Sequence, residues 1–102
     1  MLNITELSLM TDNELMNYLS KSIKAKRIES NLMQTELAQK SGVPLGTVRA
    51  MERTGKISLL NFIKLLRALD SLDILSELSK SAPIIDLQLY AKQNKTRQRI
   101  KK

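Results

Sequence analysis

Apolar residues recur three and four positions apart along most of this chain, and almost nothing in it favours a β-strand. Leu15, Leu19 and Ile23 are spaced by four. Leu59, Phe62, Leu65, Leu66 and Leu69 mark one stripe, and Leu72, Leu75 and Leu78 mark another. That period is the helical one. With only 3 Gly and 2 Pro in 102 residues, the turn chemistry that hairpins need is scarce. Apolar residues make up 42%, but Tyr18, Phe62 and Tyr90 are the only aromatics, so the core must be aliphatic. The expected fold is all-α: a five-helix bundle in one domain, with a flexible N-terminal arm over 1–10, the folded part over 11–80 and a basic tail over 81–102.

Local signals place the helices. Thr11 or Asp12 can cap a first long helix running to about Glu29 or Ser30, where Asn31 breaks it, with Met16 beside its apolar stripe. A short helix over Gln34 to Lys40 buries Leu37 and Ala38, and Ser41-Gly42 closes it. Val43-Pro44 opens a third, since proline at a first helical position loses no hydrogen bond. It buries Val48 and Met51 and ends before Thr54-Gly55. Ser58 caps a fourth with Leu59, Phe62, Leu65, Leu66 and Leu69 inward, and Ser71 to Ser79 reads as a fifth. Ile84 to Ala91 fits a short helix or an extended segment equally. The stretch from Gln93 onward is polar and basic, with Ile100 its sole core-type residue, and reads as disordered when free. Leu2, Ile4, Leu7 and Leu9 in the arm could pair with a partner.

Composition removes several functions. The chain has no Cys and no His, which excludes disulfides, thiol redox chemistry and Cys/His zinc sites. It also lacks the side chains most used for nucleophilic and general-base catalysis near neutral pH. An enzyme is therefore not expected, nor a metal or cofactor. No apolar run approaches the roughly 20 residues of a membrane span, and MLNITELSLM lacks the basic start of a signal peptide. A soluble, cytoplasmic protein is expected.

The net charge is +7 and unevenly spread. Residues 1–20 carry three acids and no base; 21–56 carry eight bases against three acids. Residues 57–80 are neutral, and 81–102 carry six bases against one acid. This pattern suits a polyanion partner, the alternative being charge kept only for solubility. The tail can lie along DNA, dock on an acidic partner or simply keep the protein in solution.

One stretch carries a specific mechanical logic: Gln34-Thr35-Glu36-Leu37-Ala38, then Gly42-Val43, then Thr47-Val48-Arg49-Ala50-Met51-Glu52. Small Ala38 lets two short helices pack closely, Gly42 lets the chain reverse, and Val43, Val48 and Met51 lock the pair through the core. The second helix, about Pro44 to Glu52, then presents its outer face to the major groove of DNA.

These residues resemble the phage-repressor helix-turn-helix family, the Cro-like or xenobiotic-response-element class, over about Ile23 to Leu78. The resemblance implies that Gln34 touches a DNA phosphate through its amide or backbone N–H. It also implies that Arg27 forms a partly buried ion pair with Glu52. On the recognition helix Leu45, Gly46, Thr47, Arg49 and Ala50 are the outward candidates. Arg49 can bridge O6 and N7 of guanine, Leu45 and Ala50 can meet thymine methyls, and Thr47 a phosphate or base edge. Gly46 permits close backbone approach or is only a local turn choice. Arg53, Lys56 and Lys40 are assigned to phosphates. Two positions depart from the family pattern. Met33 replaces the usual capping Thr or Ser, and Pro44-Leu45-Gly46 replaces a more polar helix opening.

The run Pro44-Leu45-Gly46-Thr47-Val48-Arg49, with Glu52-Arg53-Thr54-Gly55-Lys56-Ile57-Ser58-Leu59, resembles the HipB-like antitoxins that accompany HipA-type kinases. So does Thr96-Arg97-Gln98-Arg99-Ile100-Lys101-Lys102. Two functions follow. One is a homodimeric repressor on double-stranded operator DNA, paired through Leu72, Leu75 and Leu78 unless these only complete the monomer core. The other is a protein-interaction module, an antitoxin subunit that holds a kinase-like toxin, with DNA binding secondary.

Overall fold

A computed structural model of the chain describes residues 2–80 and 91–93. All regular structure among them is helical. The order is α1 (Ile4–Ser8), α2 (Asp12–Glu29), α3 (Gln34–Ser41), α4 (Leu45–Thr54), α5 (Leu59–Ala68), a 3₁₀ turn (Leu72–Leu75) and α6 (Ser76–Ser79). The segment Ile84–Tyr90 and the basic end from residue 94 lie outside the described residues. Contacts divide the chain into two compact units, Met1–Ser71 and Leu72–Lys102.

The capping chemistry sets the boundaries of the first unit. Thr11 begins α2 with a reciprocal box: its Oγ1 accepts from the Glu14 N–H at 3.2 Å, and its own N–H donates to Glu14 Oε1 at 2.9 Å. Asn31, at φ +57°, ends that helix in the left-handed region, where asparagine is tolerated. Gly42 and Gly55, both at φ +79°, close α3 and α4. Ser58 caps α5 by accepting from the Asn61 N–H at 3.1 Å.

α4 packs on α2 and α3, and α3 also packs on α5. Between them lies the aliphatic core: Ile23 from α2, Leu37 from α3, Val43 from the turn, Val48 and Met51 from α4, Leu65, Leu66 and Ala68 from α5, and Leu69 just after it. Burying each of the larger side chains is worth about 1.5–3 kcal/mol.

Several expectations need correction. Within the N-terminal arm, residues 4–8 form a short helix that the sequence reading did not place, because Asn3 Oδ1 accepts from the Glu6 N–H at 2.8 Å and satisfies its first turn. Pro44 is the residue before α4 rather than its first member; its carbonyl accepts from the Thr47 and Val48 N–H groups. On α2 the buried row passes through Ser20 and Ile23, while Leu19 is 49% exposed. On α5 the stripe holds for Leu65, Leu66 and Leu69, but Leu59 is 74% exposed. Side chains tilt toward a helix's N-terminus, so Leu59 in the first turn points past the end of the core. The expected fifth helix is a 3₁₀ turn followed by one turn of α-helix. Leu72 and Leu75 are half-buried there, and Leu78 is exposed.

The two glycine caps are not equivalent. A Cβ on Gly42 would meet nothing within 4 Å, whereas one on Gly55 would come within 2.9 Å of the Met16 carbonyl carbon and 3.0 Å of the Asn17 nitrogen. Gly55 is thus the point where the chain leaving α4 touches the backbone of α2. Gly42→Ala should cost the left-handed penalty alone, about 1–2 kcal/mol. Gly55→Ala should cost clearly more, by about 1 kcal/mol or above, because backbone must move. Urea midpoints of the two variants check the order; equal losses would show that α2 yields freely.

The Thr11 box also sets a pH response. Hydrogen bonds from the backbone and side chain of Thr11 hold the Glu14 carboxyl below its ordinary value of 4.5. A lowered folded value means stabilisation that is present above 4.5 and lost as pH falls through the folded value. Glu14→Gln should therefore melt below wild type at neutral pH, with the gap closing as the solution is acidified below 4.5. A gap constant with pH would exclude the ionised carboxylate as its source.

Candidate nucleic-acid interface

The site is built on the pair α3 and α4, joined by the tight turn at Gly42. The Gly42 N–H donates to Ala38 O at 2.9 Å, and the Val43 N–H to Ser41 Oγ at 3.1 Å. Val43, Val48 and Met51 are each about 1% exposed or less, so the inner side of α4 is held in the core.

A polar cluster fixes the pair from the side. Arg27 Nε donates to Glu52 Oε2 at 2.7 Å and Nη2 to Glu52 Oε1 at 3.1 Å, a bidentate ion pair. Arg27 Nη1 donates to the Leu32 carbonyl at 2.7 Å, and Gln34 Nε2 donates to Glu52 Oε1 at 2.8 Å. The Arg27 and Glu52 side chains are 11% and 4% exposed. Glu52 therefore ties three elements together: the end of α2, the start of α3 and the last turns of α4. The Arg27–Glu52 pairing matches expectation. The bonds to Leu32 O and Gln34 had no signal in the sequence, because their partners are 5 and 18 residues away and in different elements.

That cluster changes the reading of Gln34. Its carboxamide is engaged by Glu52 inside the protein, which leaves the other amide hydrogen and the backbone N–H for a phosphate; at the first position of α3 that N–H has no intrahelical acceptor. The Met33 side chain makes no capping bond to a backbone N–H, but α3 does not start loosely. Glu36 Oε1 accepts from the Met33 N–H at 2.8 Å, half of a capping box.

Of the outward candidates on α4, Gly46 and Arg49 are exposed, whereas Leu45, Thr47 and Ala50 are half-buried. Arg53 is exposed and falls in the same row, four residues after Arg49. Lys40 and Lys56 are exposed to either side in sequence. Lys56 follows a tightened helix end: Thr54 Oγ1 donates to Ala50 O at 2.7 Å and accepts from the Lys56 N–H at 3.2 Å. The first turn of α4 holds no acidic residue, so nothing offsets the positive end of its dipole.

A firmly held helix with a bare basic face, packed on a short helix through a glycine turn, is the geometry of a groove-reading motif. A helix-turn-helix family model matches residues 23–75, just over half the chain. The chain belongs to the helix-turn-helix family. No curated protein and no solved structure matches the chain. Family membership makes this a DNA-binding regulator of the phage-repressor type. No helix among the described residues is long and apolar enough to cross a membrane.

Breaking one side of a buried pair strands the other charge. Glu52→Ala should destabilise by about 3–5 kcal/mol, and Gln34→Ala by less, about 1.5–3 kcal/mol, since Arg27 still satisfies the carboxylate. The double variant Arg27→Ala, Glu52→Ala should cost less than the sum of its singles. Thermal melts of the four proteins measure this, and strict additivity would remove the pair from the account.

Proposed function

We propose that the chain is a sequence-specific repressor that inserts the N-terminal half of α4 into the major groove and reads it chiefly through Arg49. The exposed row Gly46, Arg49 and Arg53, on a helix whose other side is locked by Val48, Met51 and Glu52, carries this reading. Arg49 reads guanine by a bidentate contact. Leu45, Thr47 and Ala50, half-buried beside that row, shape the fit to thymine methyls and the groove wall. Lys40, Arg53, Lys56 and the Gln34 N–H groups meet phosphates, which position the helix without reading sequence. With so few readers, part of the specificity comes from DNA shape. Two copies would place their recognition helices in successive major grooves about 34 Å apart on a palindromic operator.

The likeness of residues 44–59 to HipB-like antitoxins supports a narrower reading: an antitoxin that represses its own operon and binds a kinase-like toxin. A kinase-like reading frame beside this one favours it, and its absence leaves a plain repressor. The alternative, a toxin-binding module for which DNA is secondary, predicts binding to DNA without preference between sites.

Selection of bound sequences from random duplexes tests the main reading. Wild type should enrich a motif containing guanine, and Arg49→Ala should lose about 1–3 kcal/mol of discrimination at that position. Lys56→Ala should weaken all sites alike and lower the salt slope by about one. Uniform weakening by Arg49→Ala, with no change in base preference, would reduce Arg49 to a phosphate contact.

A further inference from the structure

The three glycines of the chain divide into two kinds. Gly42 and Gly55 sit at φ +79° and end helices, which is reason enough for glycine at both positions. Gly46 has neither reason. It is the second residue of α4 and is not one of the positive-φ glycines. A Cβ built on it would meet nothing within 4 Å. A helical glycine in open space lowers stability relative to alanine, because the unfolded chain has more conformations to lose. Nothing within the first compact unit therefore calls for glycine at 46.

Its place around the helix supplies an external reason. At about 100° per residue, Gly46 lies roughly 160° from Val48 and roughly 140° from Met51. Those two residues are the core anchors of α4, so Gly46 stands within about 10° of the line opposite the core. A surface that receives the N-terminal half of α4 meets that line first. Arg49 follows one turn later and about 60° to one side. We propose that Gly46 sets how deeply α4 enters the major groove. Its missing Cβ lets the helix come close enough for the Arg49 guanidinium to span both guanine acceptors.

Two physical limits make this contact sensitive to depth. A bidentate contact needs both donor–acceptor distances within about 2.7–3.2 Å, a window of roughly half an ångström. A methyl group added at the foremost point of the helix would use up that tolerance, since carbon stands about 3.5–4.0 Å from any atom it faces. Nor can α4 turn to bring another residue forward. Met51 is buried in the core, and Glu52 is held by Arg27 and Gln34. Gly46 is thus a positioning residue that acts on the base through Arg49, a role that rests on the DNA-reading function.

The test sets stability against binding. Gly46→Ala should melt about 2–8 °C above wild type, a gain read without DNA. Fluorescence anisotropy is then measured on a labelled duplex carrying the sequence that wild type selects. Gly46→Ala should bind it about tenfold more weakly, within the range a bidentate base contact contributes, and Gly46→Leu more weakly still. Discrimination against replacement of the guanine should fall in parallel. In an Arg49→Ala background, Gly46→Ala should cost roughly twofold or less, because the contact it disturbs is already gone. A Gly46→Ala variant that melts below wild type would overturn the proposal, for the helix would then need glycine for itself. So would unchanged affinity and base preference, or an equal loss in both Arg49 backgrounds. A wild type with no preference among DNA sequences would overturn the reading function and this role with it. That result is distinct from a preference that survives Gly46→Ala, which overturns this role alone.

Discussion

The interaction on which this structure most depends is the Glu52 carboxylate, buried at 4% exposure and shared between Arg27 and Gln34. A buried carboxylate is tolerated only when its charge and its lone pairs are satisfied. Arg27 supplies the charge and two donors, and Gln34 a third. Arg27 lies on α2, Gln34 on α3 and Glu52 on α4, so the same bonds that make the charge tolerable also set where the three helices meet. An apolar core would hold these helices together, but it would let them slide. Directional bonds of 2.7–3.1 Å do not.

That rigidity bears on function through α4. A recognition helix discriminates between bases only if its side chains arrive at the groove in a fixed register, and this helix has few that can read. Leu37, Val48 and Met51 hold it from within, Gly55 lets its end rest against the α2 backbone, and Glu52 fixes its rotation. The outward face is left with a glycine and two arginines. Under the proposed reading, affinity comes largely from surrounding charge, and specificity from one arginine and the shape of the DNA.

Much of this was legible in the order of residues. The helix limits at Thr11, Asn31, Gly42 and Ser58 follow from local chemistry, because a cap is made within three or four residues of the helix it closes. The pairing of Arg27 with Glu52 was legible through likeness to a known motif, not from spacing. The further bond of Gln34 was not legible for the same reason: nothing local shows that a carboxylate 18 residues away holds its amide. Periodicity also overstated burial at the ends of helices. Leu19 and Leu59 keep helical spacing yet stand outside the core, since a stripe continues in sequence after its packing partner has ended.

The sequence by itself determined the all-helical class, the glycine turn between α3 and α4, and which face of α4 is apolar, for these depend on backbone preferences and near neighbours. Tertiary structure alone decided two other things: that Gly55 must be glycine for contact as well as for its turn, and that Gln34 is bound to Glu52. Each depends on a distance between segments far apart in the chain. Such distances are set by how whole helices pack, which is a property of the assembled core and not of any local run of residues.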